Sequence, residues 1–216
     1  QNKINIRVTR KDGYYLEDLD KQETVIYINP KNDTRYPISA NWFFSIAGLH
    51  HILLKKRAPV FHASYVEWKN GAILFAAPSQ TGKSTQAKLW NRYQNAITVN
   101  DDRVLLRKMN DTWYAYGYPS CGSSKICLNK TLPIHAIVIL EQSNSNKIIE
   151  LTDYEKTKSL VTGIEVYLWD LEEINMSFDC ANELSKDVKI IKLACRPDEE
   201  AVNLLKNYLE GGNKNE

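Results

Sequence analysis

The chain is predicted to fold as an α/β protein on a mixed sheet, and three observations carry that prediction. Apolar runs of strand length recur along the 216 residues, and stretches of helical periodicity alternate with them. One apolar strand also leads through Ala77-Pro78-Ser79-Gln80-Thr81-Gly82-Lys83-Ser84-Thr85 into a helix-forming run. Residues 1–57 read as a β-rich region closed by a helix, and residues 58–216 as a nucleotide-binding domain.

The composition agrees with that class. With 43% hydrophobic and 25% charged residues, the chain is globular rather than disordered or membrane-spanning. A net charge of +2 argues against a dedicated nucleic-acid binder. No apolar run approaches the roughly 20 residues of a bilayer span, so no membrane partner is expected. Gln1-Asn2-Lys3-Ile4-Asn5 lacks the apolar centre of a signal peptide. Cys121, Cys127, Cys180 and Cys195 contain no Cys-x-x-Cys pair, which makes a zinc cluster a poor reading and a reduced, cytoplasmic protein the simple one. Self-association into a homo-oligomer stays open.

Taken in order, Ile4–Val8 alternates apolar and polar residues, Asp12-Gly13 is a turn signal, and Thr24–Ile28 is a second strand stopped by Pro30. From about 40 to 56, Trp42, Phe43, Ile46, Leu49, Ile52 and Leu53 recur at helical spacing. Val60–Trp68 alternates as a strand, and Asn70-Gly71 turns it into the strand Ala72–Ala76. That hairpin sets His62 beside the strand that feeds the loop.

The helix after the loop runs from Lys83 to about Tyr93. Its roughly eleven residues cover about 16 Å, enough to cross a sheet once and return the chain parallel along Ala96–Val99. Val104–Lys108 and Trp113–Tyr116 flank Asn110-Asp111 as a hairpin, and Ile134–Leu140 is a buried strand. Thr152-x-x-Glu155 is a capping box for a helix at 153–162, and a second helical stretch covers about 165–183. Val188–Leu193 reads as the last strand. Pro197-Asp198-Glu199-Glu200 starts a final helix that Gly211-Gly212 stops.

The chemistry concentrates on the loop. A helix N-terminus offers unpaired amides and the positive end of the macrodipole, so Ser79, Gln80, Thr81, Gly82, Lys83, Ser84 and Thr85 are candidate phosphate ligands. Lys83 would neutralise the β/γ-phosphates and the Ser84 hydroxyl would hold Mg²⁺. Ala77 stands where the motif has its first glycine, so the loop must open in a conformation that an L-residue tolerates.

A right-handed crossover brings the end of the next strand, Asn100-Asp101-Asp102, to the same carboxyl edge. One of Asp101 and Asp102 would deprotonate an acceptor hydroxyl while the other, provisionally Asp102, helps to hold the metal through its water. The plainer alternative is that the pair only ends a strand and caps a turn. Glu141, at the end of the apolar run Ile137–Leu140, is a competing metal ligand, and His62 reads either as a group near phosphate or as a packed strand residue.

Together His62-Ala63-Ser64, Ser79-x-x-Gly82-Lys83-Ser84-Thr85 and Asn100-Asp101-Asp102-Arg103-Val104 resemble the catalytic core of the HPr kinase/phosphorylase family, whose fold is that of the phosphoenolpyruvate carboxykinases. The resemblance covers about residues 60–141 well and residues 1–57 hardly at all. It implies ATP and Mg²⁺ as cofactors and a serine of a peptide or protein, in a peptide-modification setting, as acceptor. It places Lys83 and Ser84 on the nucleotide, an aspartate of the pair as base and His62 by the transferred phosphate. The family's substrate loop is not recognisable after Tyr118, where Ser123, Ser124 and Lys125 stand as substrate-contact candidates. A nucleotide-binding scaffold without turnover and a small-metabolite kinase are the rival readings.

Overall fold

The computed structural model describes residues 4–9, 13–18, 23–28, 43–44, 47–78, 80–122 and 124–211. It divides into two compact units, Gln1–Ile52 and Leu53–Glu216. The first unit holds a three-stranded antiparallel sheet, β1 (Ile4–Thr9), β2 (Gly13–Asp18) and β3 (Glu23–Ile28), in that order. The expected outer strands are present. β2, which the sequence reading had not assigned, pairs with both: Ile6 lies opposite Leu16, and Leu16 opposite Val25. Asp12 of the expected turn lies outside the described residues. Of the helix expected over 40–56, the structure gives α1 (Leu49–Lys55), opening after Gly48 at φ 61°; residues 40–42, 45 and 46 lie outside the described set.

The second unit is built on an eight-stranded mixed sheet. Its strands are β4 (Val60–Trp68), β5 (Gly71–Ala76), β6 (Ile97–Asn100), β7 (Arg103–Met109), β8 (Thr112–Gly117), β9 (Thr131–Gln142), β10 (Lys147–Glu150) and β11 (Ile190–Cys195). They run in the order β10-β11-β9-β5-β4-β7-β8, with β6 also paired to β4. Among the described residues four helices cover it: α2 (Lys83–Gln94), α3 (Asp153–Gly163), α4 (Leu171–Asp187) and α5 (Glu199–Leu209).

Burial explains the layering. Every residue of β5 is buried, as a strand covered on both faces requires. Ala63, Tyr65 and Leu74 face a core closed by Leu160 of α3 and Leu184 of α4. Their alternating neighbours Val66, Ile73 and Phe75 face a second core closed by Trp90 of α2 and Leu205 of α5. Trp90 packs edge-on against Trp68, with ring centroids 5.2 Å apart, which seats α2 across β4 and β5. The β4–β5 turn uses Lys69 and Asn70 at φ 48° and 62°, the left-handed pair that suits a tight hairpin.

Three strands that position the site are parallel: β5, β9 and β11. β6 is antiparallel to β4, as β5 is, so it returns parallel to β5 with β4 between them. The ends of β5 and β6 therefore reach the same sheet edge. Residues 165–170, expected to be helical, are not. Glu165 N–H donates to Val60 O at 2.9 Å, which holds the chain along the start of β4. Asp170 then caps α4 by accepting from Glu172 and Glu173 N–H. β10, unassigned in the sequence, adds an antiparallel edge to β11. Among the described residues no helix is long and apolar enough to cross a membrane.

Candidate active site

The loop between β5 and α2 places its left-handed residues late. Gln80 has φ 65° and Gly82 φ 115°, whereas Ala77 is absent from the positive-φ residues and simply leaves the strand. An alanine at the first motif position therefore costs no backbone strain. A Cβ on Gly82 would meet nothing within 4 Å, so it is the φ angle and not crowding that calls for glycine.

Gly82 is also the N-cap of α2 and supplies no side-chain acceptor to the first turn. Ser84 and Thr85 are exposed there, Gln80 is exposed, and Thr81 and Gly82 are half-buried. Ser79 lies outside the described residues. The Lys83 ammonium folds back to donate to Ala77 O at 2.9 Å and Pro78 O at 3.4 Å. Burial lowers its pKa, and the charge of Asp102 pulls the other way.

On the β4 side of the loop lies the turn between β6 and β7, organised by the fully buried Asn100. Its Oδ1 accepts from Asp102 N–H at 2.9 Å and Arg103 N–H at 3.0 Å. Its Nδ2 donates to Tyr118 O and Ser120 O, both at 2.9 Å.

The two aspartates then part company. The Asp101 carboxylate accepts from Gly122 N–H at 2.8 Å and Ser124 N–H at 3.0 Å, and its backbone carbonyl accepts from the Ser64 hydroxyl at 3.1 Å. Burial alone would raise its pKa, but the hydrogen bonds from Ser124 and Gly122 outweigh it and hold the carboxyl below its usual range. A Cβ at Gly122 would lie 3.0 Å from that carboxylate, so a larger residue would push the carboxylate back by a few tenths of an ångström. Both carboxylate oxygens of Asp101 thus face amides that follow Tyr118, those of Gly122 and Ser124.

Asp102 faces the other way. Its carboxylate accepts from Arg103, which also pairs with Glu165, and stands 3.3 Å from His62 Nδ1. His62 lies opposite Arg103 across the β4–β7 pair. Burial, then the charge of Lys83, lowers the His62 pKa against the opposing pull of Asp102. The charge of Lys83 thus bears on His62 and that of Asp102 on both, although the lysine makes no ion pair with the aspartate.

On the far side of the loop a cleft of about 630 Å³ opens at the carboxyl ends of β9 and β11, bounded by Gln80–Gly82, Thr85, Glu141–Asn144 and Cys195–Pro197. Glu141, the rival metal ligand, borders this cleft and is ion-paired to Lys192 at 3.1 Å. Ser123 lies outside the described residues. Lys125 is exposed at φ 60°, its N–H donating to Gly122 O at 3.2 Å.

Two contributors escaped the sequence reading. Asn100 had a usable signal, since Asn before two aspartates at a strand end is a side-chain-closed turn. Glu165 had none: its partner Arg103 is 62 residues away.

No family model and no curated protein matches the chain. Among solved structures it is similar to one described as the structure of the Hpr(Ser) kinase/phosphatase from Coxiella burnetii. The two share 13% identity with a TM-score of 0.39, over 71% of this chain and 93% of that one.

Proposed function

We propose that this chain is an ATP- and Mg²⁺-dependent kinase with a phosphoenolpyruvate carboxykinase-like core, transferring the γ-phosphoryl group to a hydroxyl, that of a serine in a peptide or protein. The observation that carries the reading is an uncapped helix start with Lys83 folded back on its loop, beside a strand end where His62 and Asp102 pair. A cleft of nucleoside size lies on the other flank.

The residues present fit the nucleotide. The start of α2 has amides without a side-chain acceptor, an open space above Gly82 and exposed hydroxyls at Ser84 and Thr85. Gln80, Thr81 and Gly82 cradle phosphate oxygens, and Lys83 exchanges its two carbonyl partners for them. Ser84 would hold Mg²⁺ through its hydroxyl, an oxygen donor that suits this hard cation. Bound there, the metal supplies charge neutralisation for the phosphates.

Asp102 is the acceptor of the hydroxyl proton. As the serine oxygen forms its bond to the γ-phosphorus and the bond to the β-phosphate oxygen breaks, that proton passes to the carboxylate. His62 and Arg103 fix the carboxylate's orientation. Asp101, Asn100 and Gly122 hold the neighbouring 118–124 loop as one wall of the acceptor site.

Incubation with γ-labelled ATP, Mg²⁺ and a panel of seryl peptides tests the proposal. Label on peptide serine, lost in Asp102→Asn, supports it. Nucleotide binding without transfer to any hydroxyl supports a regulatory scaffold instead, and label on free serine supports a metabolite kinase.

A further inference from the structure

The segment that leaves its expected helix lies next to the site. Its first residue, Glu165, accepts from Arg103 Nε at 2.5 Å, and the chain then forms a pinned turn ahead of α4. Tyr167 N–H donates to the carboxylate of Glu173, itself a buried residue, at 2.8 Å, and Asp170 N–H donates to Tyr167 O at 2.9 Å. The apolar side chains of this fixed turn are nevertheless in the open. Leu168 is 83% exposed, Trp169 65% and Leu171 75%, and Phe178, about two turns along α4 from Leu171, is 48% exposed. Tyr167 and Trp169 stack with ring centroids 5.4 Å apart. One exposed leucine needs no explanation, but several large apolar side chains on a turn that a buried carboxylate holds make a ledge of the kind that takes a partner.

Continuity and charge choose the occupant. Glu165 holds Arg103, and Arg103 donates to Asp102, so the ledge joins the Asp102 side of the site. Leu168 and Leu171 follow Glu165 by three and six residues, at most about 10 and 20 Å of extended chain. The surroundings are acidic: residues 159–185 contain six acidic and no basic side chains. Glu165 and Glu183 are matched by Arg103, Arg57 and Lys108, whereas Glu172 is exposed beside Leu171 and Asp179 beside Phe178. Resting on the kinase reading above, we propose that this ledge docks the acceptor peptide and selects one with an aliphatic or aromatic residue and a lysine or arginine within about six residues of the serine. The apolar side chain covers Leu168 and Leu171, and its basic neighbour meets the Glu172 carboxylate.

Fluorescence anisotropy with the full chain tests this. The probes are fluorescein-labelled peptides of about 15 residues with one central serine and a Leu-Lys-Leu block about three to six residues from it, against the same peptides carrying Gln-Gln-Gln. The Leu-Lys-Leu set should bind roughly tenfold or more tightly, and Leu168→Asp and Leu171→Asp should each remove that advantage. Ile149→Asp, on β10, should keep it. The substituted side chains are exposed, so the variants should retain the wild-type unfolding midpoint. Equal binding of the two sets, or unchanged binding by Leu168→Asp, overturns the proposal. So does a dimer in sedimentation that Leu168→Asp dissociates while peptide affinity stays the same, which would make the ledge a contact between copies of this chain. Binding through the ledge with no label passing from γ-labelled ATP supports the docking surface and removes the kinase, whereas label on serine with an unaltered KM in Leu168→Asp does the reverse.

Discussion

Helices α3, α4 and α5 begin on Thr152, Asp170 and Asp198, each of which accepts from an amide of its own first turn, whereas α2 begins on Gly82 and has no such acceptor. The first three ends are complete in themselves. Thr152 and Glu155 even form the reciprocal capping box expected from their spacing. At α2 the same unpaired donors remain, and the ammonium of Lys83 is parked on the carbonyls of the loop. A glycine N-cap leaves a helix only about a few tenths of a kcal/mol short of a good side-chain cap, so the open end is cheap to keep. A phosphate supplies the missing acceptor and more, which is why only this end should respond to nucleotide.

The largest effect tests the chemistry beside that end. Asp102→Asn removes the proton acceptor but keeps the shape and the contact with Asn100, so phosphoryl transfer should fall about 100-fold or more. Nucleotide affinity should stay within a few-fold, and equal turnover in variant and wild type would remove Asp102 from the reaction. A smaller loss is expected from Lys83→Met. A charged hydrogen bond contributes about 1.5–3 kcal/mol, so nucleotide should bind roughly 10- to 100-fold more weakly by calorimetry. The chain itself should not lose stability, because Lys83 is only 8% exposed and its desolvation is relieved.

The contrast sharpens with Asp198→Ala at the start of α5. Loss of the bond to Ala201 N–H should lower unfolding free energy by about 1 kcal/mol in denaturant titration. Asp198 also holds Arg196, which borders the cleft, so nucleotide affinity should fall no more than a few-fold, and a larger drop would show that the two helix ends are not independent.

Much of this arrangement was legible in the residues. The alternation of β4, the continuous apolar run of β5 and the helical run after the loop gave the hairpin, the loop and α2 almost to the residue, because a strand buried on both faces reads as an unbroken apolar stretch. The failures have physical causes. Residues 165–170 carry helix-compatible letters, but Glu165 N–H pairs with Val60 O, and a long-range backbone bond overrides local propensity. The Asp101-Asp102 dipeptide announced two jobs but not which residue takes which. Adjacent residues point oppositely, yet which one meets the Gly122 amide depends on how the 118–124 loop returns, and no local pattern encodes that.

The smallest effect is a titration. His62 has its pKa lowered by burial and then by Lys83, against Asp102. Below the ordinary histidine value of about 6.5 the unfolded chain takes up a proton that the folded chain resists. The contribution to stability is therefore complete above that value and is lost as pH falls through the folded pKa. Imidazole NMR of His62 should show a midpoint below the ordinary value. Lys83→Met should move it up, by removing a repelling charge, and Asp102→Asn should move it down. Saturating ATP should raise it as well, since phosphate oxygens neutralise the ammonium that opposes protonation. A His62 midpoint indifferent to both substitutions and to nucleotide would mean that the histidine, the aspartate and the loop lysine do not share one electrostatic site, and the uncapped end of α2 would then have no reacting partner.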